Sequence, residues 1–183
     1  MTRTVQTRLP GLVVIEPTIH GDDRGFFVET YRRDRFTDLG VDVDFVQDNH
    51  SRSRRGTLRG LHFQHDPGQA KLVRCARGAI RDVVVDLRRS SPTFGEHEAI
   101  QLDDVQHRQI FVPVGFAHGF VVLSDVADVT YKVSSVYDPN TEAGLAWDDP
   151  GLAIQWGTTS PIVSARDRGN PTLSELEGQL PRW

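Results

Sequence analysis

Ala79-Ile80-Arg81-Asp82-Val83-Val84-Val85-Asp86-Leu87 is the stretch on which the fold turns. Ile80, Val83, Val84, Val85 and Leu87 make it nearly continuously apolar, which suits a strand covered on both faces rather than one wet on one side. Working outward, turn signals stand at Arg77-Gly78 and at Ser91-Pro92-Thr93-Phe94-Gly95, with another at Asp66-Pro67-Gly68. Residues 97–102, 109–112, 119–123 and 128–134 follow as further strands at short, regular spacing. From Phe45 to Tyr137 the chain is strand after strand, and that rhythm predicts an all-β barrel or sandwich.

The flanks add little helix. After a short leader, Leu12-Val13-Val14-Ile15 reads as a first strand, residues 20–25 as a turn, and Phe26-Phe27-Val28-Glu29-Thr30-Tyr31 as a second strand. Residues 34–40 read as one or two helical turns, with Asp34 as N-cap and Gly40 as the stop. In the tail, residues 164–171 read as a polar loop before a helix capped by Thr172 or Ser174. With no linker and no repeat, residues 1–183 are expected to form a single domain.

Composition excludes several functions. Hydrophobic content of 38% and charged content of 25% are ordinary for a soluble domain, and no apolar run approaches membrane-span length. A net charge of -4, with Arg and Lys interspersed among acids, argues against nucleic-acid binding. The Arg52 to Arg55 patch reads as a solvated loop. Cys75 is the one cysteine and the N-terminus has no signal-type apolar core, so a cytoplasmic location is expected.

The chemistry centres on Thr57-Leu58-Arg59-Gly60-Leu61-His62-Phe63-Gln64. A lone strand histidine is more often a hydrogen-bonded core residue than a catalyst, so its company decides. Pro113-x-Gly115-x-x-His118 fits the second half of a metal-binding cupin signature. The first half needs two histidines one residue apart and then a glutamate, so that alternate positions point at one ion. His62 and His65 are three apart and no glutamate follows before Glu96, so no metal is expected. His62 is then free to act as a general base, with Asp167 as the carboxylate that would orient it. The plainer reading of Asp167 is a surface acid paired with Arg166 or Arg168, and both readings stay open. Alternation puts Val129, Tyr131 and Val133 on one inward face, which makes Tyr131 an acid candidate if it borders a cavity. Lys71 could stabilise an enolate oxygen by its charge. A base, an acid and a cation suit proton transfer next to a carbonyl.

These segments together resemble a known family. Asp23-Arg24-Gly25-Phe26-Phe27-Val28-Glu29, Gln47-Asp48-Asn49-His50-Ser51, the 57–64 stretch, Gln69-Ala70-Lys71-Leu72-Val73, Asp82-Val83-Val84-Val85-Asp86-Leu87-Arg88, residues 115–120, Tyr131-Lys132 with Tyr137-Asp138-Pro139, Trp147-Asp148-Asp149-Pro150 and Ser164-Ala165-Arg166-Asp167 are similar to motifs of the dTDP-4-dehydrorhamnose 3,5-epimerases, in that order, from Gly11 to Leu173. The resemblance implies a cupin-like jelly-roll barrel with few helices, working as a homodimer on a dTDP-4-keto-6-deoxy sugar with neither metal nor organic cofactor. It implies that His62, assisted by Asp167, removes protons from C3 and C5, that Tyr131 reprotonates from the opposite face, and that Lys71 and Arg59 stabilise the enolate. It also implies substrate contacts by Arg24, Glu29, Gln47, Asn49, Arg59, Lys71, His118, Glu142 and Arg166, with Tyr137 stacking on thymine and with Arg24 and Glu29 supplied by the partner subunit. Arg166 stands where many relatives carry lysine, which keeps the charge but changes the geometry.

Two expectations stay open at this level. A mono-epimerase acting at C3 or C5 alone, a non-catalytic sugar-nucleotide-binding jelly roll, and a metal-dependent cupin enzyme are the rival functions. Strict alternation also sets Arg59 and His62 on opposite faces, so a shared cavity requires a bulge at or near Gly60.

Overall fold

A computed structural model describes residues 1–183. In chain order the strands are β1 (Arg3–Val5), β2 (Val13–Glu16), β3 (Ile19–Asp22), β4 (Gly25–Val28), β5 (Gln47–Arg54), β6 (Thr57–Gln64), β7 (Lys71–Arg77), β8 (Ala79–Asp86), β9 (His97–Asp103), β10 (Gln109–Val112), β11 (Phe116–Val122), β12 (Val126–Val133), β13 (Glu142–Gly144) and β14 (Ile162–Val163). Helix α1 (Arg33–Asp38) precedes β5, and α2 (Ala165–Arg168), α3 (Leu173–Leu176) and a 3-10 turn over Glu177–Gln179 close the chain. One sheet runs β1-β2-β10-β7-β12-β5 and the other β13-β6-β11-β8-β9, with β14 added beside β6. This is the all-β sandwich that the strand rhythm predicts, in the jelly-roll form that the resemblance implies.

Three apolar layers explain the composition of the strands. Between the sheets lie Val73, Cys75, Ile80, Val84, Ile110, Phe116, Phe120 and Val129, among others. Outside the second sheet, Val83, Val85 and Leu87 meet Leu58, Leu61, Val121 and the tail residues Leu145, Trp156, Leu176 and Leu180. The β8 run is therefore apolar on both faces because the sandwich covers one and the tail the other. Outside the first sheet, Phe36 of α1 and Val41 pack on Ile15, Leu72 and Phe111.

The flanks differ from the sequence reading in four places. The leader forms β1, pairing Arg3 with Glu16 of β2. The residues read as a turn before Gly25 form β3, hairpinned to a β4 that ends at Val28, because the sharp bend needs only Asp23, Arg24 and the positive φ of Gly25. Asp34 lies inside the first turn of α1, where its charge faces the exposed amides, and takes the Arg32 guanidinium at 2.7 Å; the cap position is Arg32. Residues 165–168 form a helical turn rather than a loop, since Ser164 caps it by accepting the Asp167 N–H at 3.0 Å. Gly40 does end α1 with φ +90, and Thr172 caps α3 in a capping box with Glu175.

The bulge is present. Against β11, His62 faces His118 while Arg59 faces Phe120, so β6 spends three steps where β11 spends two. Leu58 and Leu61 point to the outer layer, and both Arg59 and His62 point inward. Gly60 has φ +119, and the Gly60–Leu61 peptide is cis. A Cβ on Gly60 would stand 2.6 Å from the Gly119 Cα and 2.8 Å from the His118 oxygen, and one on Gly119 would stand 2.7 Å from the Arg59 oxygen. The two glycines thus let the backbones of β6 and β11 touch. Gly60→Ala is expected to destabilise the protein by more than about 2 kcal/mol, combining backbone strain with a clash against main chain that cannot rotate away. Urea unfolding at unchanged midpoint would contradict this.

Candidate active site

The inward faces of the two sheets leave a cleft of about 650 Å³. His62 enters it from β6, with about a quarter of its side chain exposed. Its Nε2 lies 2.7 Å from Oδ1 of Asp167, which is buried. A carboxylate accepts and does not donate, so Nε2 carries the proton and Nδ1, which bonds nothing in the chain, keeps its lone pair. The other Asp167 oxygen accepts the Gly60 N–H at 3.3 Å. One carboxylate thereby satisfies the amide freed by the bulge and fixes the ring that the bulge turns inward. Burial pushes the Asp167 carboxyl up, but the hydrogen bond and charge of His62, with Gly60 and Ser164, outweigh it and hold the group below the usual carboxylate range.

Asp167 reaches this place through a short route. Ile162 and Val163 of β14 pair in parallel with Thr57 and Leu58 of β6, and the Ser164-capped turn then lifts Asp167 over Gly60. The plain surface-acid reading of Asp167 is therefore excluded.

Facing this wall, the first sheet presents Tyr131 from β12 and Lys71 from β7. The Tyr131 hydroxyl makes no hydrogen bond within the chain, and burial raises its pKa, with the Glu142 carboxylate adding to the effect and Arg59 opposing it. The phenol is protonated at neutral pH. Lys71 is buried, with Nζ 3.4 Å from the His62 carbonyl oxygen. Burial pushes its ammonium down to about 8, against the pull of Glu142 and Asp82. Arg59 crosses from β6 to donate to the Ser53 hydroxyl of β5 at 3.0 Å.

Around these groups, Tyr137 donates its hydroxyl to Glu142 at 2.9 Å, and Arg166 pairs with the same Glu142 oxygen at 2.6 Å. Gln47 donates to Asn49 at 2.9 Å and accepts the Tyr137 N–H at 3.0 Å. Tyr137 is nearly half exposed, leaving its ring face open to a flat partner. His62, Tyr131, Asp167, Lys71, Arg59, Gln47, Asn49, His118, Tyr137, Glu142 and Arg166 all line the one cleft.

Arg24 and Glu29 do not. Arg24 lies at the tip of the β3–β4 hairpin, paired with Asp22 and almost fully exposed, and Glu29 pairs with Arg35 at 3.0 Å. No three His, Cys, Asp or Glu side chains converge as metal ligands would. Sequence reasoning missed Ser164, whose capping pattern was available, and Asp82, a fully buried acid that takes His118 Nε2 at 2.8 Å. A carboxylate inside the apolar β8 run was itself a signal, because a buried charge requires a partner.

Comparison with known proteins agrees with this geometry. Residues 6–175 match the family model described as dTDP-4-dehydrorhamnose 3,5-epimerase. The chain is 47% identical over 176 residues to the dTDP-4-dehydrorhamnose 3,5-epimerase of Methanothermobacter thermautotrophicus, covering 94% of this chain and 95% of that one. It is 45% identical over 179 residues to the dTDP-4-dehydrorhamnose 3-epimerase of Streptomyces niveus, covering 96% and 86%. A crystal structure of the dTDP-6-deoxy-D-glucose-3,5-epimerase of Legionella pneumophila, in complex with dTDP-4-keto-L-rhamnose, superposes with a TM-score of 0.96 at 42% identity, over 100% of this chain and 99% of that one.

Proposed function

Because the chain belongs to the dTDP-4-dehydrorhamnose 3,5-epimerase family, we propose that it is an isomerase that inverts C3 and C5 of dTDP-4-dehydro-6-deoxy-D-glucose, giving dTDP-4-dehydro-L-rhamnose. The observation that carries the mechanism is the opposition across one cleft of a carboxylate-held imidazole on the second sheet and a phenol on the first. The C4 ketone acidifies the hydrogens on C3 and C5, which in the D-gluco chair are axial on the same face. His62 Nδ1 takes each proton in turn, and Asp167 stabilises the imidazolium that results. Lys71, with Arg59, balances the enolate charge on O4. Tyr131 delivers a proton to the opposite face and so inverts the carbon. Proton NMR of the product distinguishes the outcomes: a small H2–H3 coupling, from inversion at C3, together with changed H5 and methyl resonances, from inversion at C5, is expected, whereas a product inverted at one carbon only would assign the chain to mono-epimerisation.

At the nucleotide end, Tyr137 stacks on thymine, while Gln47, Asn49, Glu142 and Arg166 supply polar contacts; His118, opposite His62, contacts the substrate at the sugar end. Arg24 and Glu29 fit a role in the neighbouring cleft of a homodimer. The β3–β4 hairpin pairs only with itself and exposes 60% of Phe26 and 69% of Phe27, surface that a second copy would cover. Light scattering is expected to give a dimer; a fully active monomer would contradict the shared site. The reaction as proposed runs in the cytoplasm.

Lys71 sets an expected pH dependence. The free enzyme needs its ammonium, so kcat/KM should fall as pH rises above about 8, the value to which burial pushes the group. Folding acts in the opposite sense: the unfolded chain holds this proton more tightly, so the buried ammonium costs stability below about 8 and the cost is relieved as pH rises toward the ordinary lysine value. Lys71→Gln should lower the rate and remove that alkaline limb. An unchanged limb in the variant would assign it to another group.

A further inference from the structure

His118 has a partner that the reaction as described does not use. It stands directly opposite His62 on the adjacent strand, so the two imidazoles enter the cleft side by side, with Cβ atoms about 5 Å apart. Each ring has a carboxylate on Nε2: Asp167 at 2.7 Å behind His62, and Asp82 at 2.8 Å behind His118. Asp82 has no exposed surface, and its Oδ1 has no hydrogen-bond partner. Its neighbours on the inward row of β8 are Ile80 and Val84 in the apolar layer between the sheets. An acid there is costly to bury unless neighbouring groups offset its charge. Two groups do: the His118 ring that it binds, and the Lys71 ammonium, whose burial cost it offsets together with Glu142.

We propose that Asp82 is a positioning residue of the epimerisation: its buried carboxylate fixes the His118 ring with Nε2–H inward and Nδ1 toward the cleft. Asp82 touches no substrate. It acts through His118, as Asp167 acts through His62. The Nδ1 of His118 bonds nothing in the chain and is not sealed from the cleft, so it is free to meet the substrate. This role rests on the function proposed above.

Two measurements keep its failure separate from failure of that function. In the ligand-free full chain, long-range proton–nitrogen NMR of the imidazoles reads the protonation of each nitrogen without any turnover. Nε2 of His118 is expected to carry a proton in the wild type, and Asp82→Asn is expected to remove that preference at His118 while leaving His62 as it was. An unprotonated Nε2 at His118 in the wild type overturns the proposal, even if Asp82→Asn does not fold. In turnover, Asp82→Asn should lower kcat about tenfold to hundredfold, a loss of the size seen when the carboxylate behind a metal-ligating histidine is removed, with KM changed by less than about threefold because the nucleotide end is untouched. In a His118→Ala background the same substitution should add less than about threefold. Wild-type kcat in Asp82→Asn, or a full second loss in the His118→Ala background, overturns it. A wild type that does not epimerise the sugar would instead refute the function and leave the NMR result standing.

Discussion

His62→Ala is expected to stop deuterium uptake from solvent at both C3 and C5, with turnover reduced about a hundred- to ten-thousand-fold, the usual range for loss of one general base. The expectation follows from the cleft itself. His62 presents an imidazole whose Nε2 is held by the buried, ionised Asp167 carboxylate, on the second-sheet wall opposite the phenol, which leaves Nδ1 free to take the proton. Without that nitrogen no enolate forms, and without an enolate neither carbon exchanges. Affinity for the sugar nucleotide should change little, since Tyr137, Gln47 and Asn49 are unaltered. Exchange continuing at one carbon at the wild-type rate would assign that abstraction to another group, and His118 on the next strand would be the first to examine.

Tyr131→Phe is expected to separate exchange from inversion. The ring still packs against the layer between the sheets, but the hydroxyl that faces the cleft is gone. His62 can still take a proton and return a deuteron to the same face. The product of that cycle is labelled substrate, not epimer. Inversion at C5 should fall about a hundred- to ten-thousand-fold while exchange persists. If the variant inverts C5 at the wild-type rate, Tyr131 is a packing residue and the acid lies elsewhere.

Much of this was legible in the residues, and the rest was hidden for identifiable reasons. The β8 run announced a strand with two covered faces, and the structure supplies one cover from the sandwich and one from the tail. The conflict between Arg59 and His62 was legible as a conflict, and its resolution at Gly60 followed from needing a residue without a Cβ where two backbones meet. Strands β13 and β14 were not legible, because three and two residues are too few to show a period. From the residues Asp167 was a candidate beside an equally open reading as a surface acid. Its contact with His62 spans 105 positions and depends on β14 pairing with β6, which nothing local specifies. Asp82 was overlooked because its neighbours read as core, and only the bond to His118 shows why an acid sits there. Arg24 and Glu29 stand outside the cleft in surface ion pairs, so nothing local shows the roles that the resemblance implies for them.

The most direct test of proton transfer through His62 and Tyr131 is a time course of the wild-type reaction in deuterated water, followed by proton NMR. The expected product carries deuterium at both C3 and C5, with the inverted configuration at each labelled carbon. Inverted product that keeps its original hydrogen at C5 would contradict it, because a carbon deprotonated by His62 and reprotonated by Tyr131 on the other face cannot retain the proton it lost.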